Sequence, residues 1–250
     1  MSEFQFLDAN ITLGRPRIPR FHVVADAAVM KSELAALGIT GGLVRNAISA
    51  EWHPTVGNPE LSHALAGCAG FEPVWVVLPH WTGEFPEPST LARELSGSRV
   101  RAVAMYPRQH GFAVRQSVTG PLFEMLQSRR SVLFVALEEA DLACVEGIAT
   151  DFPSLPIVVS DTSYRLVREL YPVFVKCPNV RIEISGYMLH RGIEDICNKF
   201  GPERLLFGSR YPTFNPGCAV ASVMYAAVPD DAKEMIASGN ARKLLAQVRL

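Results

Sequence analysis

The chain has 250 residues, 48% of them apolar, and sets 24 Lys and Arg against 25 Asp and Glu. That balance offers no basic face for nucleic acid and no like-charge block that would stay unfolded. Its apolar runs, "VWVVL" and "SVLFVAL" among them, fall far short of the ~20 residues of a membrane span.

The start, "MSEFQF", lacks the basic and then apolar pattern of an export signal, so a cytoplasmic protein is expected. Cys68, Cys144, Cys177, Cys197 and Cys218 are scattered and form no CxxC pair. They read as reduced thiols that pack as small apolar side chains.

Taken in chain order, short runs rich in Val, Ile, Leu and Phe alternate with stretches of helical period. Residues 6–13 read as a strand. Residues 24–38 read as a helix stopped by Gly38. Residues 41–47 form a second strand. A helix over 58–67 opens with Asn58 as cap and Pro59 in its first turn. Strand three is 72–79, helix 88–95 follows, and strand four is 100–107. A helix around 120–129 leads to strand five at 131–137. Helix 138–152 precedes strand six at 156–161. Helix 163–177 is expected to be interrupted near Pro172. Strand seven is 179–186, helix 191–201 ends on Gly201, and strand eight is 204–209. A helix after Pro216 and another over 229–248, broken near Gly239, finish the chain.

Eight apolar strands separated by helices predict a parallel sheet covered on its faces. Eight such units in this length fit a closed (β/α)₈ TIM barrel, with a doubly wound open sheet as the alternative. No linker divides the chain, so one domain over 1–250 is expected. A homo-oligomer is compatible with this reading.

A barrel carries its chemistry at the C-terminal ends of its strands. Side chains alternate along a strand, which puts Asp8, Asn10 and Thr12 on one face of the first. The other strand ends offer Arg45, Asn46, His80, Tyr106, Arg108, Glu138, Glu139, Asp161, Thr162, Glu183, Ser185, Ser209, Arg210 and Tyr211. Zinc wants three or four His, Cys or carboxylate ligands. Here only His80 among the six histidines falls at a strand end, and neither HxH nor HExxH occurs. There is also no GxSxG. No metal and no other cofactor is expected.

Several segments resemble the amidohydrolase-related proteins, the barrel branch that holds metal-dependent decarboxylases and lactonases. They are "LDANITLG" (7–14), "GPERLLFGSRYP" (201–212) and "SGNARKLL" (238–245), with "GNPEL" (57–61), "LP" (78–79), "VAMYP" (103–107) and "ISG" (184–186) in support. The resemblance spans essentially the whole chain and implies the barrel and its strand order. It also implies a metal site that this sequence does not keep. The family's two first-strand histidines are Asn10 and Thr12 here. Its histidines after strands five and six are Ala136 and Asp161, and its eighth-strand aspartate is Arg210.

Arg210 therefore stands where the family holds a cation. A guanidinium stays protonated, so it cannot act as a base. If buried it needs a carboxylate, and Asp161, Glu183 and Asp8 are the candidates. Two readings follow. In one, Arg210 plugs the vacated site in an inactive relative with a binding or structural role. In the other, it clamps a small anionic substrate. The enzyme reading is a metal-independent hydrolase or lactonase-type enzyme on a carboxylate. Asp161 and Arg210 would be catalytic, and Asn10, Thr12, Arg45, His80, Tyr106 and Arg108 would bind substrate. Asp8 reads as a structural hydrogen-bonder at the barrel base. Glu138 and Glu139 read as acidic residues at a helix start.

Overall fold

The eight predicted strands fold into one ring. A computed structural model describes residues 4–18 and 22–250, so the first residues of the export-signal reading lie outside it. The strands are β1 (Phe6–Leu13), β2 (Ile39–Asn46), β3 (Phe71–Val76), β4 (Ala102–Met105), β5 (Val132–Ala136), β6 (Ile157–Ser160), β7 (Val180–Glu183) and β8 (Leu205–Leu206). Each pairs in parallel with the next, in chain order. The two ends of the sheet then meet. The Ala9 N–H donates to the Phe207 carbonyl at 2.9 Å and the Thr12 N–H to the Tyr211 carbonyl at 2.8 Å. That closure makes a (β/α)₈ barrel and sets aside the open sheet.

The period of two sorts the strand side chains into two cores. Leu133, Val135, Ile157 and Val159 face the helical layer. Their neighbours Val132, Phe134 and Val158 fill the barrel interior with Leu7, Leu43, Val74 and Leu206. Burial on both faces is why these strands read as unbroken apolar runs rather than alternating ones.

The helices are α1 (Ala27–Ala35), α2 (Ala47–Glu51), α3 (Pro54–Ala64), α4 (Pro88–Gly97), α5 (Gln116–Arg129), α6 (Leu142–Asp151), α7 (Val167–Lys176), α8 (Gly192–Phe200), α9 (Pro216–Met224), α10 (Asp230–Glu234) and α11 (Asn240–Ala246). Three details differ from the sequence reading. Asn58 does not cap α3; His53 does, with Pro54 in the first turn. Asn58 is instead buried, and its amide both donates to the Val76 carbonyl and accepts from the Val76 N–H, at 2.9 and 3.0 Å. Pro172 lies inside an unbroken α7, whose Leu170, Val173 and Phe174 are buried in the core. The last helix is not broken at Gly239 but passes through a π-helical turn, Met235–Gly239.

That turn matters to β8, which is shorter than the predicted 204–209. The Phe207 N–H leaves the sheet and donates to the Ile236 carbonyl at 2.9 Å. Beyond it, α11 places Ala241, Leu244 and Leu245 against the interior core. At Gly208, a Cβ would overlap the Glu183 carboxylate. Gly208→Ala is therefore expected to cost about 1–3 kcal/mol by overpacking, read as a lower urea midpoint with an unchanged slope.

Candidate functional site

A cavity of about 230 Å³ opens where the strands end, with Asn10, Thr12, Arg45, Tyr106, Asp161 and Arg210 among its lining residues. All six are among the strand-end residues named from the sequence, Asn10 and Thr12 by their shared face of β1. Glu51, Gln109, Glu138 and Glu139 join them from the segments after the strands.

Asp161 and Arg210 are the first residues past their strands to turn sharply. Both have left-handed backbones, φ 54° and φ 59°. Aspartate tolerates that region, whereas arginine enters it rarely. The turn brings the Arg210 Nε to 2.9 Å from Asp161 Oδ1, while its Nη2 donates to Glu138 Oε1 at 2.9 Å. Burial alone would lower the Arg210 pKa, but Asp161 and Glu138 outweigh it and raise the value. Of the three expected partners, only Asp161 pairs with this arginine. Glu138 supplies the second carboxylate rather than serving the helix start, where Asp141 is the cap of α6.

Asn10 organises the floor. Its Nδ2 donates to Asp161 Oδ1 and to Glu183 Oε1, each at 3.0 Å. Its Oδ1 accepts from the Arg45 Nη1 at 3.0 Å. Arg45 is 3% exposed, its Cζ lies 4.5 Å over the Phe134 ring, and its Nη2 has no hydrogen-bond partner. Glu183, fully buried, takes four bonds. Oε1 accepts from Asn10, from the Asp161 N–H at 2.8 Å and from the Ser185 hydroxyl, and Oε2 accepts from the Ser185 N–H at 2.7 Å. Burial, and then the nearby Asp161 charge, raise its pKa. Tyr106 is pushed up to about 12, chiefly by burial, so it meets a ligand as a neutral phenol.

Asp161 uses only Oδ1 in these contacts. Its Oδ2, like the Arg210 Nη1, has no hydrogen-bond partner among the described residues.

Two expected substrate-binding residues stand elsewhere. His80 lies off the cavity with its ring against Trp81, centroids 4.4 Å apart. Arg108 is exposed and lines a separate shallow depression with Phe112 and Asp141. By sequence both are strand-end residues, but the segments after β3 and β4 carry them away from the cavity.

Asp8 is fully buried and ties β1 to the segment after β8. It accepts from the Asn10 and Ser209 N–H groups at 2.9 Å each and from the Ser209 hydroxyl. Burial pushes its pKa up to about 7, against the partial opposition of those bonds. Between about 4 and 7, the unfolded carboxyl ionises while the folded one keeps its proton. The unfolded state then binds fewer protons, so stability falls as pH rises through this window and levels above it. Asp8→Asn is expected to flatten that dependence, measured as the urea midpoint across pH.

The divalent metal that the sequence resemblance implies does not fit this donor set. Asn10 Oδ1 is engaged by Arg45, Thr12 and Ala136 stand where the resemblance implies imidazoles, and a guanidinium stands beside Asp161. Among the described residues, no three His, Cys, Asp or Glu side chains are grouped so as to hold one ion. Nor is any helix there long and apolar enough to cross a membrane.

Comparison with known proteins agrees with the architecture. No curated protein matches the sequence. Among solved structures, an uncharacterized TIM-barrel protein from Bordetella bronchiseptica superposes with a TM-score of 0.73 at 19% identity, over 98% of this chain and 99% of that one. A 2,6-dihydroxybenzoate decarboxylase from Rhizobium gives 0.77 at 13% identity, over 97% and 99%. A probable 2-pyrone-4,6-dicarboxylic acid hydrolase from Acinetobacter baumannii gives 0.73 at 11% identity, over 97% and 100%. At these identities the likeness speaks for the fold. The amidohydrolase family model, Amidohydro_2, matches residues 23–247, and the chain belongs to that family.

Proposed function

We propose that the protein is a metal-independent hydrolase that opens a small carboxylate-bearing substrate in a lactonase-type reaction. The observation that carries this reading is the division of labour on Asp161. One oxygen is anchored by Arg210 and Asn10, and the other has no hydrogen-bond partner among the described residues. An anchored carboxylate with a free oxygen is placed as a general base. Its Oδ2 takes a proton from water, and the water oxygen adds to the ester carbonyl. Negative charge grows on the carbonyl oxygen, where the unpaired Nη1 of Arg210 can meet it. The carbonyl re-forms, the ring C–O bond breaks, and the proton on Asp161 passes to the leaving oxygen. The substrate classes named for the decarboxylase and the pyrone hydrolase above, both carboxylates, are consistent with this.

The test is a panel of small carboxylated lactones assayed by proton release, with and without a chelator. Hydrolysis that survives chelation supports the proposal; hydrolysis that needs added zinc or manganese overturns it.

A second reading has its own support. Arg210 engages two carboxylates, which is what a plug in an inactive relative would do. It predicts no turnover on the panel and a marked loss of stability in Arg210→Ala.

A further inference from the structure

The charges around the cavity are sorted by depth. Arg45 lies at the bottom, 3% exposed, with its Nη2 unpartnered. Arg210 stands above it, its side chain 24% exposed and its Nη1 without a hydrogen-bond partner among the described residues. The rim is acidic. Glu138 is 70% exposed and already shares Arg210 with Asp161. Glu139 lines the same cavity, is held by the Gln109 N–H at 2.9 Å, and has no cationic partner among the described residues.

Of the four carboxylates that line the cavity, Asp161, Glu51, Glu138 and Glu139, Arg210 engages Asp161 and Glu138, and Arg45 sits below with a donor to spare among the described residues. A dianion entering this cavity would meet repulsion at the mouth. A simple amine would leave the buried guanidinium donors unmatched, which is costly in a low-dielectric site. We propose that the cavity selects a small zwitterion, with its carboxylate inward at Arg45 and Arg210 and its ammonium outward at Glu139 and Glu138. The inference rests on the reading of this cavity as a carboxylate site, and it narrows the substrate class from anions to amino acids or their close derivatives. The volume of about 230 Å³ suits a molecule of that size.

The experiment compares four probes of one chain length by isothermal titration at pH 7: 5-aminopentanoate, glutarate, pentanoate and pentylamine. The zwitterion is expected to bind about tenfold more tightly than the other three, a factor that one matched charge at an intermediate dielectric supplies. In Glu139→Gln, which keeps the acceptor for the Gln109 N–H, the preference over glutarate should shrink several-fold, in line with the loss of one partly screened charge. Equal or tighter binding of glutarate or pentylamine overturns the proposal, and so does binding of none of the four. Because the readout is affinity, it separates from the hydrolytic reading. A protein that prefers the zwitterion yet opens no lactone keeps this inference and loses the reaction. A protein that turns over lactones but prefers glutarate does the reverse.

Discussion

Asp161→Asn should lower kcat by about 10²- to 10⁴-fold, the usual contribution of a positioned general base, while the protein stays folded. The exchange is close to isosteric. Asparagine accepts a left-handed backbone as readily as aspartate does, so φ 54° at this position adds no strain. Its amide oxygen can keep the bonds to Arg210 and Asn10. What replaces Oδ2 is an NH₂ group, which cannot take a proton from water. Paired measurements of kcat and Tm decide the matter. A large kcat loss with a small Tm change supports the base. Unchanged kcat in a turning-over enzyme removes Asp161 from the chemistry.

Glu183→Ala should destabilise the fold by at least about 3 kcal/mol, because each buried donor left without an acceptor costs about 1–3 kcal/mol. Four donors lose their acceptor: the Asn10 amide, the Asp161 N–H, and the Ser185 N–H and hydroxyl. The damage reaches the site as well. The Asp161 N–H bond to Glu183 helps hold the turn that aims Asp161, and the Asn10 amide loses one of its three side-chain partners, keeping Asp161 and Arg45. Urea denaturation of the variant tests the first effect. A midpoint within error of the parent protein would show that water satisfies these donors instead.

The barrel was legible because burial on both sheet faces leaves the strands as apolar runs, and these can be counted without knowing their partners. The inner members of the site were legible for a related reason. Asn10 and Thr12 share one face of the first strand by parity, and Arg45, Tyr106, Asp161 and Arg210 follow from the rule that a barrel's chemistry sits past its strand ends. Glu138 shows where that legibility stops. It lies two residues beyond β5 and reads as an ordinary helix-start carboxylate, and only the turn at Arg210 brings the two together. Arg108 and His80 also follow strands, but the segments after β3 and β4 carry them off the cavity, a path that nothing local in the sequence signals. The role of Asn58 was hidden too. An Asn-Pro pair signals a helix start, but the burial that draws its amide onto Val76 depends on how α3 packs on β3.

The shared hydrogen bonds of Asn10 make the members of the site interdependent. None can be exchanged alone without unpairing the others. Arg210→Asp would set a fourth carboxylate among Asp161, Glu138 and Glu183 and remove the guanidinium that pairs with two of them. Asn10→His would strip Arg45, Asp161 and Glu183 of a common partner at one stroke. Substitutions in this site are therefore coupled, and a change at one member is tolerated only with a compensating change at another.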